Sequence, residues 1–328
     1  MTQMMIKENA TKPSRALSEI LAHISDETIP LSSQQLGELS DLNAEELKTF
    51  NCTWGKISTE RKLKILSRLD ELAKSNVEFN FDRIFRNAIY CPDSIIRQTA
   101  IECLWENSDT SLLQPLLRIV TQDPSTEVRC VAATALGRFA MLAEHQKVSA
   151  DKRDRILKTL LEILANEIES SEVRRRALVA ISPISVPAVT QAIQTAYNSQ
   201  DPQMRIGAIS AMGQNCDQQW LQYILLEMES AIPEMRYEAA IAAGEMGEPV
   251  AITQLINLTN DSDSDVRLSA ITALGKIGGF EVKKHLNKLL KHKSQAVREV
   301  AEQAIAEIEL LEIPVDKSPD ETGMSHTI

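Results

Sequence analysis

The chain has 328 residues and a formal net charge of −11. Apolar residues make up 43% of it and aromatic residues only 4%, a composition that favours closely packed helices over a β-sandwich or a barrel. The acidic balance argues against general binding to nucleic acid or to an anionic membrane, because both ligands attract basic surfaces.

The two ends of the chain and its cysteines indicate a compartment. The N-terminal segment lacks the apolar core of a signal peptide, and no apolar run approaches the length of a membrane span. The five cysteines are odd in number and contain no CxxC pair, which predicts reduced, buried thiols. We therefore expect a cytoplasmic protein, with residues 1–14 as a disordered tail.

Residues 15–75 are predicted to form a helical N-terminal cap. Asn43 and Glu46 have the spacing of a capping box at a helix start. Ser58 is placed to cap a longer helix over Thr59–Lys74. An array of repeats exposes the apolar face of its first unit, and a cap of this kind would cover that face.

A marker sequence recurs through residues 76–311, which we interpret as a repeat array. In each copy an arginine follows an apolar residue, alanine stands three positions later, and alanine or cysteine stands six positions later; in four copies glycine stands eight positions later. The interval between successive arginines is 32, 45, 31, 31, 31 and 31 residues. The marker arginines are Arg97, Arg129, Arg174, Arg205, Arg236, Arg267 and Arg298.

Each repeat is predicted to contain two helices. Positions three, six and seven after the marker arginine fall on one stripe of a helix, and Gly275 and Gly278 are expected to end that helix in the copy that starts at Asp261. A second helix lies between successive markers, and no segment alternates like a strand. The predicted fold is therefore all-α, a right-handed α-α superhelix (solenoid) of about seven two-helix repeats behind the cap.

One interval breaks the period. Arg129 and Arg174 are 45 residues apart instead of 31, and the extra residues are placed near 143–155. They are predicted to form a tolerated surface loop outside the stack. The alternative is that the insertion lies on the binding face of the array. After the array, residues 312–328 are predicted to be a second disordered tail.

The marker arginines invite two interpretations. They could bind an anion, but each lies beside an acidic turn residue such as Glu127, Glu172 or Asp263. Stacking would bring an arginine and a carboxylate of neighbouring repeats together with bidentate geometry. We therefore predict a structural ladder, in which the loss of one arginine loosens its repeat.

The residues that point away from the stack are the candidate partner-binding residues. At about 100° per residue, positions one, two, five and nine after the marker arginine lie opposite the buried stripe. In solenoids of this kind that helix lines the concave surface, although a solvated helix face explains the same residues equally well. The candidates are Thr134, Arg138, Arg175, Arg176, Ser210, Gln214, Tyr237, Glu238, Glu245, Thr272 and Lys276.

The marker resembles that of HEAT repeats over Phe81–Leu310, and the short period resembles the subtype first named from phycobilisome lyases. The clearest copies are Val128–Gly137 and Val266–Gly275. The resemblance implies the fold and says little about activity. It supports a non-catalytic protein–protein interaction scaffold that binds a polypeptide along the concave face. The alternative is a bilin-lyase-type enzyme subunit, or a chaperone for a tetrapyrrole-carrying protein.

Two other relatives fit this chain poorly. HEAT-like deoxyhypusine hydroxylases hold two irons through repeated His-Glu pairs, and none of the five histidines here is followed by Glu. HEAT-like alkylpurine DNA glycosylases present a basic concave face, which an acidic chain opposes. We therefore predict no metal, no cofactor and no catalytic residue, and we favour a role without catalysis. The expected partner is an unidentified protein, and neither nucleic acid nor a membrane.

The remaining side chains that could bind a ligand have simpler explanations. His285 and His292 are seven positions apart and are predicted to share one exposed helix face, without further metal ligands. Trp54, Trp105 and Trp220 are predicted to be packing residues.

Overall fold

The computed structural model describes the backbone of residues 15–312 and the side chains of residues 17–310. The predicted tails lie outside the described residues, apart from Glu312 at the end of the last helix. Within the described range the chain is helical and contains no strand, which confirms the all-α prediction. The chain divides into two compact units, Met1–Ile184 and Ser185–Ile328.

The first unit contains the cap and the first repeats. A short 3₁₀ turn at Thr110–Leu112 precedes its seventh α-helix. Its described helices are α1 (Arg15–Ser25), α2 (Ser33–Gly37), α3 (Ala44–Trp54), α4 (Thr59–Ser75), α5 (Asp82–Ala88), α6 (Ser94–Cys103), α7 (Leu113–Gln122), α8 (Thr126–Glu144), α9 (Ala150–Ala165) and α10 (Ser171–Ile181).

The described residues of the second unit, 185–312, form helices that follow the repeat period. Two 3₁₀ turns, Gln218–Trp220 and Pro249–Ala251, open the second helix of a repeat. Its described helices are α11 (Pro187–Tyr197), α12 (Pro202–Asn215), α13 (Leu221–Glu227), α14 (Pro233–Met246), α15 (Ile252–Leu258), α16 (Ser264–Ile277), α17 (Phe280–Leu289) and α18 (Gln295–Glu312).

The helices that carry the marker arginines, here called the marker helices, are α6, α8, α10, α12, α14, α16 and α18. The polar turn before a marker helix supplies its N-cap. Ser125 accepts a hydrogen bond from the amide of Val128, and Asp263 accepts from the amides of Asp265 and Val266. Such a cap stabilises a helix by about 1 kcal/mol, which explains the serine or aspartate before α6, α8, α10, α12 and α16. Helix α14 differs, because its N-cap is Ile232 and makes no side-chain hydrogen bond.

The cap begins its helices in the predicted way. The Oδ1 atom of Asn43 accepts from the amides of Glu45 and Glu46 at 2.9 and 3.0 Å, and Glu46 accepts from the amide of Asn43 at 2.9 Å. The capping box is therefore confirmed. Ser58 caps α4, which begins at the predicted residue and ends at Ser75.

Successive marker helices approach each other closely inside each unit. A Cβ atom added to Gly213 would lie 2.6 Å from the Cα atom of Ala242, a distance that real side chains do not tolerate. Glycine at position eight therefore lets the next marker helix come close with its alanine at position six. The same pairing recurs at Gly137–Ala180, Gly244–Ala273 and Gly275–Ala304.

This pairing corrects the prediction that Gly275 ends a marker helix. Helix α16 continues to Ile277, and Gly278 with φ 69° is its C-cap. Gly137, like Gly275, lies inside its helix. The glycine is required by the neighbouring backbone, and its conformational freedom is not used at position eight.

The extra residues of the long repeat are mostly helical, where a surface loop was predicted. Helix α8 has 19 residues where α12 has 14, and α9 has 16. Only residues 145–149 connect α8 to α9. The added turns of α8 bury Phe139, Ala140 and Ala143, so the extension carries its own apolar face and folds as a helix.

Candidate functional site

Arg97 and Arg129, two marker arginines of the first unit, contact carboxylates of the following repeat. The Nε and Nη2 atoms of Arg97 donate to both oxygens of Asp123 at 2.7 Å, and Nη1 donates to the carbonyl of Cys91 at 2.9 Å. Arg129 makes the same fork with Glu169 at 2.9 and 2.8 Å, and its Nη1 donates to the carbonyl of Asp123 at 2.8 Å. Each guanidinium thus contacts its own turn and the next one.

The second unit repeats this geometry at Arg236. Its Nε and Nη2 atoms donate to the carboxylate of Asp261 at 2.7 Å, and its Nη1 donates to the carbonyl of Ser230 at 2.8 Å. Arg267 donates in turn to the carbonyl of Asp261 at 2.7 Å. Asp261 therefore joins two marker arginines, one through its side chain and one through its backbone.

Four marker arginines, Arg174, Arg205, Arg267 and Arg298, lack a bidentate carboxylate among the contacts of the described residues. Arg205 lies 3.6 Å from Glu227. Arg174 donates to a backbone carbonyl of α9 at 3.1 Å, and Arg298 donates to the carbonyl of His292 at 2.7 Å. Arg267 and Arg298 therefore bind the backbone of the preceding turn although no acidic side chain completes the fork.

The ion pairs leave these carboxylates charged. The hydrogen bond from Arg236 lowers the pKa of Asp261. Burial acts to raise the pKa of Asp123 and of Glu169, but the hydrogen bonds from Arg97 and Arg129 outweigh it, and both pKa values are lowered. These guanidinium groups are engaged in ion pairs within the fold, and the structural role of the whole ladder stays a prediction.

The carboxylates differ from the ones named on sequence grounds. Asp123 and Asp261 stand in the turn before the next marker helix, whereas the predicted partners stand at its start. The predicted residues have other contacts: Glu172 accepts from Arg175 and Arg176, and Asp263 caps α16.

The basic candidates of the first unit differ in availability. Arg175 makes a fork with Glu172 at 2.8 and 2.7 Å and its side chain is 16% exposed, whereas Arg176 contacts the same carboxylate and is 42% exposed. Arg138 donates to the carbonyl of Trp105 and to Ser108. Arg176 therefore presents more surface to a partner than Arg175 does.

The polar candidates are not buried in either unit. Thr134 is half-buried and bonds to the carbonyl of Cys130. In the second unit Lys276 contacts Glu245 at 2.5 Å across two consecutive repeats. The exposed candidates there are Gln214, Glu245, Thr272 and Lys276, and the half-buried ones are Ser210, Tyr237 and Glu238.

A cavity that the sequence interpretation missed lies inside the first unit. It has a volume of about 550 Å³ and is bordered by α4, α5, the end of α6 and the segments that connect them; we call it the junction pocket. Val77 and Trp105 line it with 97% and 54% of their surfaces exposed. The only sequence signal was the aromatic run around Phe79 and Phe81.

The tryptophans follow the packing prediction in two cases out of three. Trp54 stacks on Phe50 and is buried, and Trp220 is buried with its indole N–H donated to Asn215 at 2.8 Å. Trp105 is exposed instead, because it follows the end of α6 and its side chain lies at the rim of the junction pocket.

The histidine prediction needs a correction. Helix α17 ends at Leu289, so His292 lies beyond it and does not share a helix face with His285. His285 is half-buried against Thr259 at 3.0 Å, and burial lowers its pKa. Among the residues that the structure describes, no group of three or more histidine, cysteine or acidic side chains is arranged to hold a metal ion.

The cysteines are free but not buried as predicted. Cys52 and Cys216 are exposed, and the other three are half-buried. Burial raises the pKa of Cys103 to about 12, so its thiol stays protonated at neutral pH. No helix within residues 15–312 has the length and apolar character needed to cross a membrane.

The comparisons with known proteins agree with this architecture. A family model described as "HEAT repeats" matches residues 221–306, and one described as "GCN1-like, C-terminal HEAT repeats" matches residues 87–205. The chain is a HEAT-repeat protein. Neither description names the phycobilisome-lyase subtype, so that assignment and the bilin-lyase alternative stay predictions.

Several solved structures are also similar to this chain. Yeast importin-beta is 12% identical with a TM-score of 0.51, over 90% of this chain and 46% of that one. Human deoxyhypusine hydroxylase is 15% identical with a TM-score of 0.36, over 90% and 96%. A designed armadillo repeat protein is 16% identical with a TM-score of 0.34, over 60% and 99%. No curated protein sequence matches this chain.

Proposed function

We propose that this protein is a non-catalytic interaction scaffold that binds a polypeptide through the outward faces of its marker helices. The observation that carries the proposal is the exposed polar row on α12, α14 and α16, formed by Gln214, Glu245, Thr272 and Lys276. The opposite sides of the same helices are packed in the stack. A rigid helix that is already held on one side loses little entropy when its other side binds.

The charges of the two units indicate what kind of polypeptide fits. The candidate face of the first unit is basic, and the Arg176 side chain on it is 42% exposed. The candidate face of the second unit carries both signs, in Glu238, Glu245 and Lys276. A partner with segregated acidic and basic stretches would complement both faces, and complementary charge provides specificity and fast association.

We also infer a reducing compartment, the cytoplasm, as the place where this binding occurs. All five cysteines are free thiols, and two of them are exposed. Exposed free thiols are unusual in oxidising compartments. Fractionation of the native cell, with the protein detected by antibody, tests this inference.

The binding proposal is tested by placing large side chains on the exposed row. We expect Gln214→Arg combined with Thr272→Arg to leave the helical melting temperature within about 2 °C of the parent, because exposed helix positions tolerate arginine. The same variant should lose a partner that the parent chain retains in affinity purification from the native cell, measured by quantitative mass spectrometry.

The matched control carries the same substitutions on the second helices. Thr195 on α11 and Asn287 on α17 are exposed and lie outside the proposed face. Thr195→Arg with Asn287→Arg should retain the partner. If the row variant retains every partner of the parent, or if both variants lose the same partner equally, the marker-helix face is not the binding surface.

A further inference from the structure

The junction pocket combines aromatic walls with exposed apolar surface. Phe79 and Phe81 stack with their ring centroids 5.8 Å apart, and Phe85 meets Phe81 edge-on at 6.5 Å. Val77 and Trp105 stand at the rim and are largely exposed. A volume of about 550 Å³ lies within the range of pockets that enclose small ligands or parts of a peptide.

The charge of the junction pocket is strongly negative. Five carboxylates line it, and the one lysine among its lining residues, Lys74, is bound to Asp70 at 2.6 Å. Arg86 binds Asp109 at 2.8 Å. Glu102 and Glu106 are exposed, and neither has a salt-bridge partner within the described part of the chain. Glu102 and Glu106 therefore line the pocket without a salt bridge to any described residue, as does Asp82 on α5. Glu102 accepts a hydrogen bond from Gln98 at 3.0 Å, and Lys74 attracts Glu106 at longer range.

Two of the carboxylates without a salt bridge stand beside an exposed indole. Glu102 and Glu106 flank Trp105 in the sequence, and all three line the pocket. No cation of the described residues lies over the Trp105 ring, whereas the buried Trp54 has Lys62 at 5.7 Å from its centroid. An aromatic face with adjacent carboxylates is the combination that attracts lysine and arginine side chains.

We propose that the junction pocket binds a basic side chain, lysine or arginine, of a polypeptide partner, held between the Trp105 ring and the carboxylates of Glu102 and Glu106. An anionic ligand is opposed by the charge of the pocket. A purely apolar peptide would cover the carboxylates without pairing them, which is unfavourable. Charge complementarity therefore selects the cationic occupant.

The pocket is held in place before a ligand arrives. Arg138 donates to the backbone carbonyl of Trp105, and Asn107 donates to Asp82 on α5. These bonds fix the segment after α6 while the indole ring of Trp105 stays exposed. A preformed site of this kind loses little ordering entropy on binding.

The inference rests on the proposed function only in taking a polypeptide as the ligand. Glu102 is at position five of the marker helix α6. The exposed row that carries the proposed function lies on α12, α14 and α16 and contains neither Glu102 nor Glu106, and the test of the pocket uses a synthetic probe. Its failure would therefore leave the marker-helix proposal intact, and loss of the native partner in the row variant would leave this inference intact.

The probe is a short N-acetylated and C-amidated peptide that contains two arginines, with a version in which glutamine replaces both arginines. The full chain is labelled with ¹⁵N, and the indole N–H resonances of its three tryptophans are followed by NMR. We expect the arginine peptide to move the Trp105 resonance and to leave Trp54 and Trp220, which are buried, unmoved. The glutamine peptide should leave all three unmoved.

A charge-matched pair of variants separates the pocket from general attraction to an acidic protein. Glu102→Gln with Glu106→Gln should weaken the peptide by about tenfold. Glu299→Gln with Glu302→Gln on α18 removes the same charge from another exposed surface and should change the affinity less than twofold. Equal weakening in both variants, or no shift of Trp105 with the parent chain, would overturn the inference.

The chain itself offers one competing occupant. Residues 1–14, which lie outside the described residues, carry Lys7 and Lys12. If Lys7→Gln with Lys12→Gln moves the Trp105 resonance before any peptide is added, the pocket holds this segment of its own chain and the inference of a partner is wrong. An unmoved resonance supports the partner.

Discussion

The repeats and the junction between the cap and the first repeat are held together by different contacts. Marker helices meet through glycine against alanine, as at Gly213 and Ala242, and through arginine forks such as Arg236 on Asp261. The junction is packed by aromatic rings and leaves Trp105 exposed beside a cavity. The regular spacing of the repeat thus serves contacts between stacked helices. Side chains outside such contacts, like Trp105, remain exposed where the repeat pattern changes.

The largest expected effect concerns Asp261. Asp261→Ala would leave the guanidinium of Arg236, which is 13% exposed, without its carboxylate. Removing one partner of a buried ion pair costs about 3–5 kcal/mol, so the free energy of unfolding in urea should fall by that amount. Asp265→Ala removes an exposed carboxylate of the same turn and should cost less than about 1 kcal/mol. Equal losses would show that the fork does not hold the repeats.

The next effect tests the close approach of the marker helices. Gly213→Ala places a methyl group 2.6 Å from the backbone of α14, and such overpacking costs about 1–3 kcal/mol. Gly55 is the matched control, because φ is −57° and an added Cβ would meet only the carbonyl of Asn51 at 3.7 Å. Gly55→Ala should be neutral or stabilise by up to about 1 kcal/mol. Urea unfolding of both variants measures the difference.

A smaller effect should appear on acidification. The pKa of Asp261 is lowered in the folded chain, first by the hydrogen bond from Arg236. A carboxylate with a lowered pKa adds stability above its unfolded pKa of about 3.9, and that stability is lost as the pH falls through the folded pKa. Asp261→Asn should therefore be less stable than the parent at pH 7, with the gap narrowing below about pH 4. A gap that stays constant from pH 7 to pH 3 would contradict the assignment.

The smallest effect on stability is expected at Arg176, whose ion pair is exposed where those of the ladder are buried. Its pair with Glu172 is 42% and 40% exposed, and surface pairs of this kind contribute about 0–1 kcal/mol. Arg176→Gln should change the unfolding free energy by less than about 0.5 kcal/mol. Arg129→Gln, which breaks the buried fork with Glu169, should cost several times more. A similar loss of unfolding free energy in both variants would show that the marker-arginine pairs stabilise the fold no more than a surface ion pair does.

The sequence predicted the features that depend on local spacing. The marker period identified the helix pairs, and the capping box at Asn43 and Glu46 is present. Such features are local, because a helix and its cap are specified by residues three or four positions apart. Of the residues proposed for partner binding, four are exposed and the others are half-buried, and no contact of the chain tests their role.

The contacts that the sequence did not predict join residues far apart in the chain. Asp261 was not recognised as the partner of Arg236, because the acidic residues at the helix starts fitted the same role on sequence grounds. One of these residues, Asp263, caps α16 instead. The role of Gly213 depends on a helix one repeat away. The exposure of Trp105 depends on where α4 and α5 lie around it. None of these distances follows from the spacing of residues within one helix.

The central claim is that marker arginines join consecutive repeats, and a double-mutant cycle tests it most directly. Urea unfolding of Arg236→Ala, Asp261→Ala and the double variant measures the coupling free energy between the two side chains. We predict a coupling of about 2 kcal/mol or more, because each single variant leaves a buried charge without its partner. Single effects that add to within about 0.5 kcal/mol would contradict the claim.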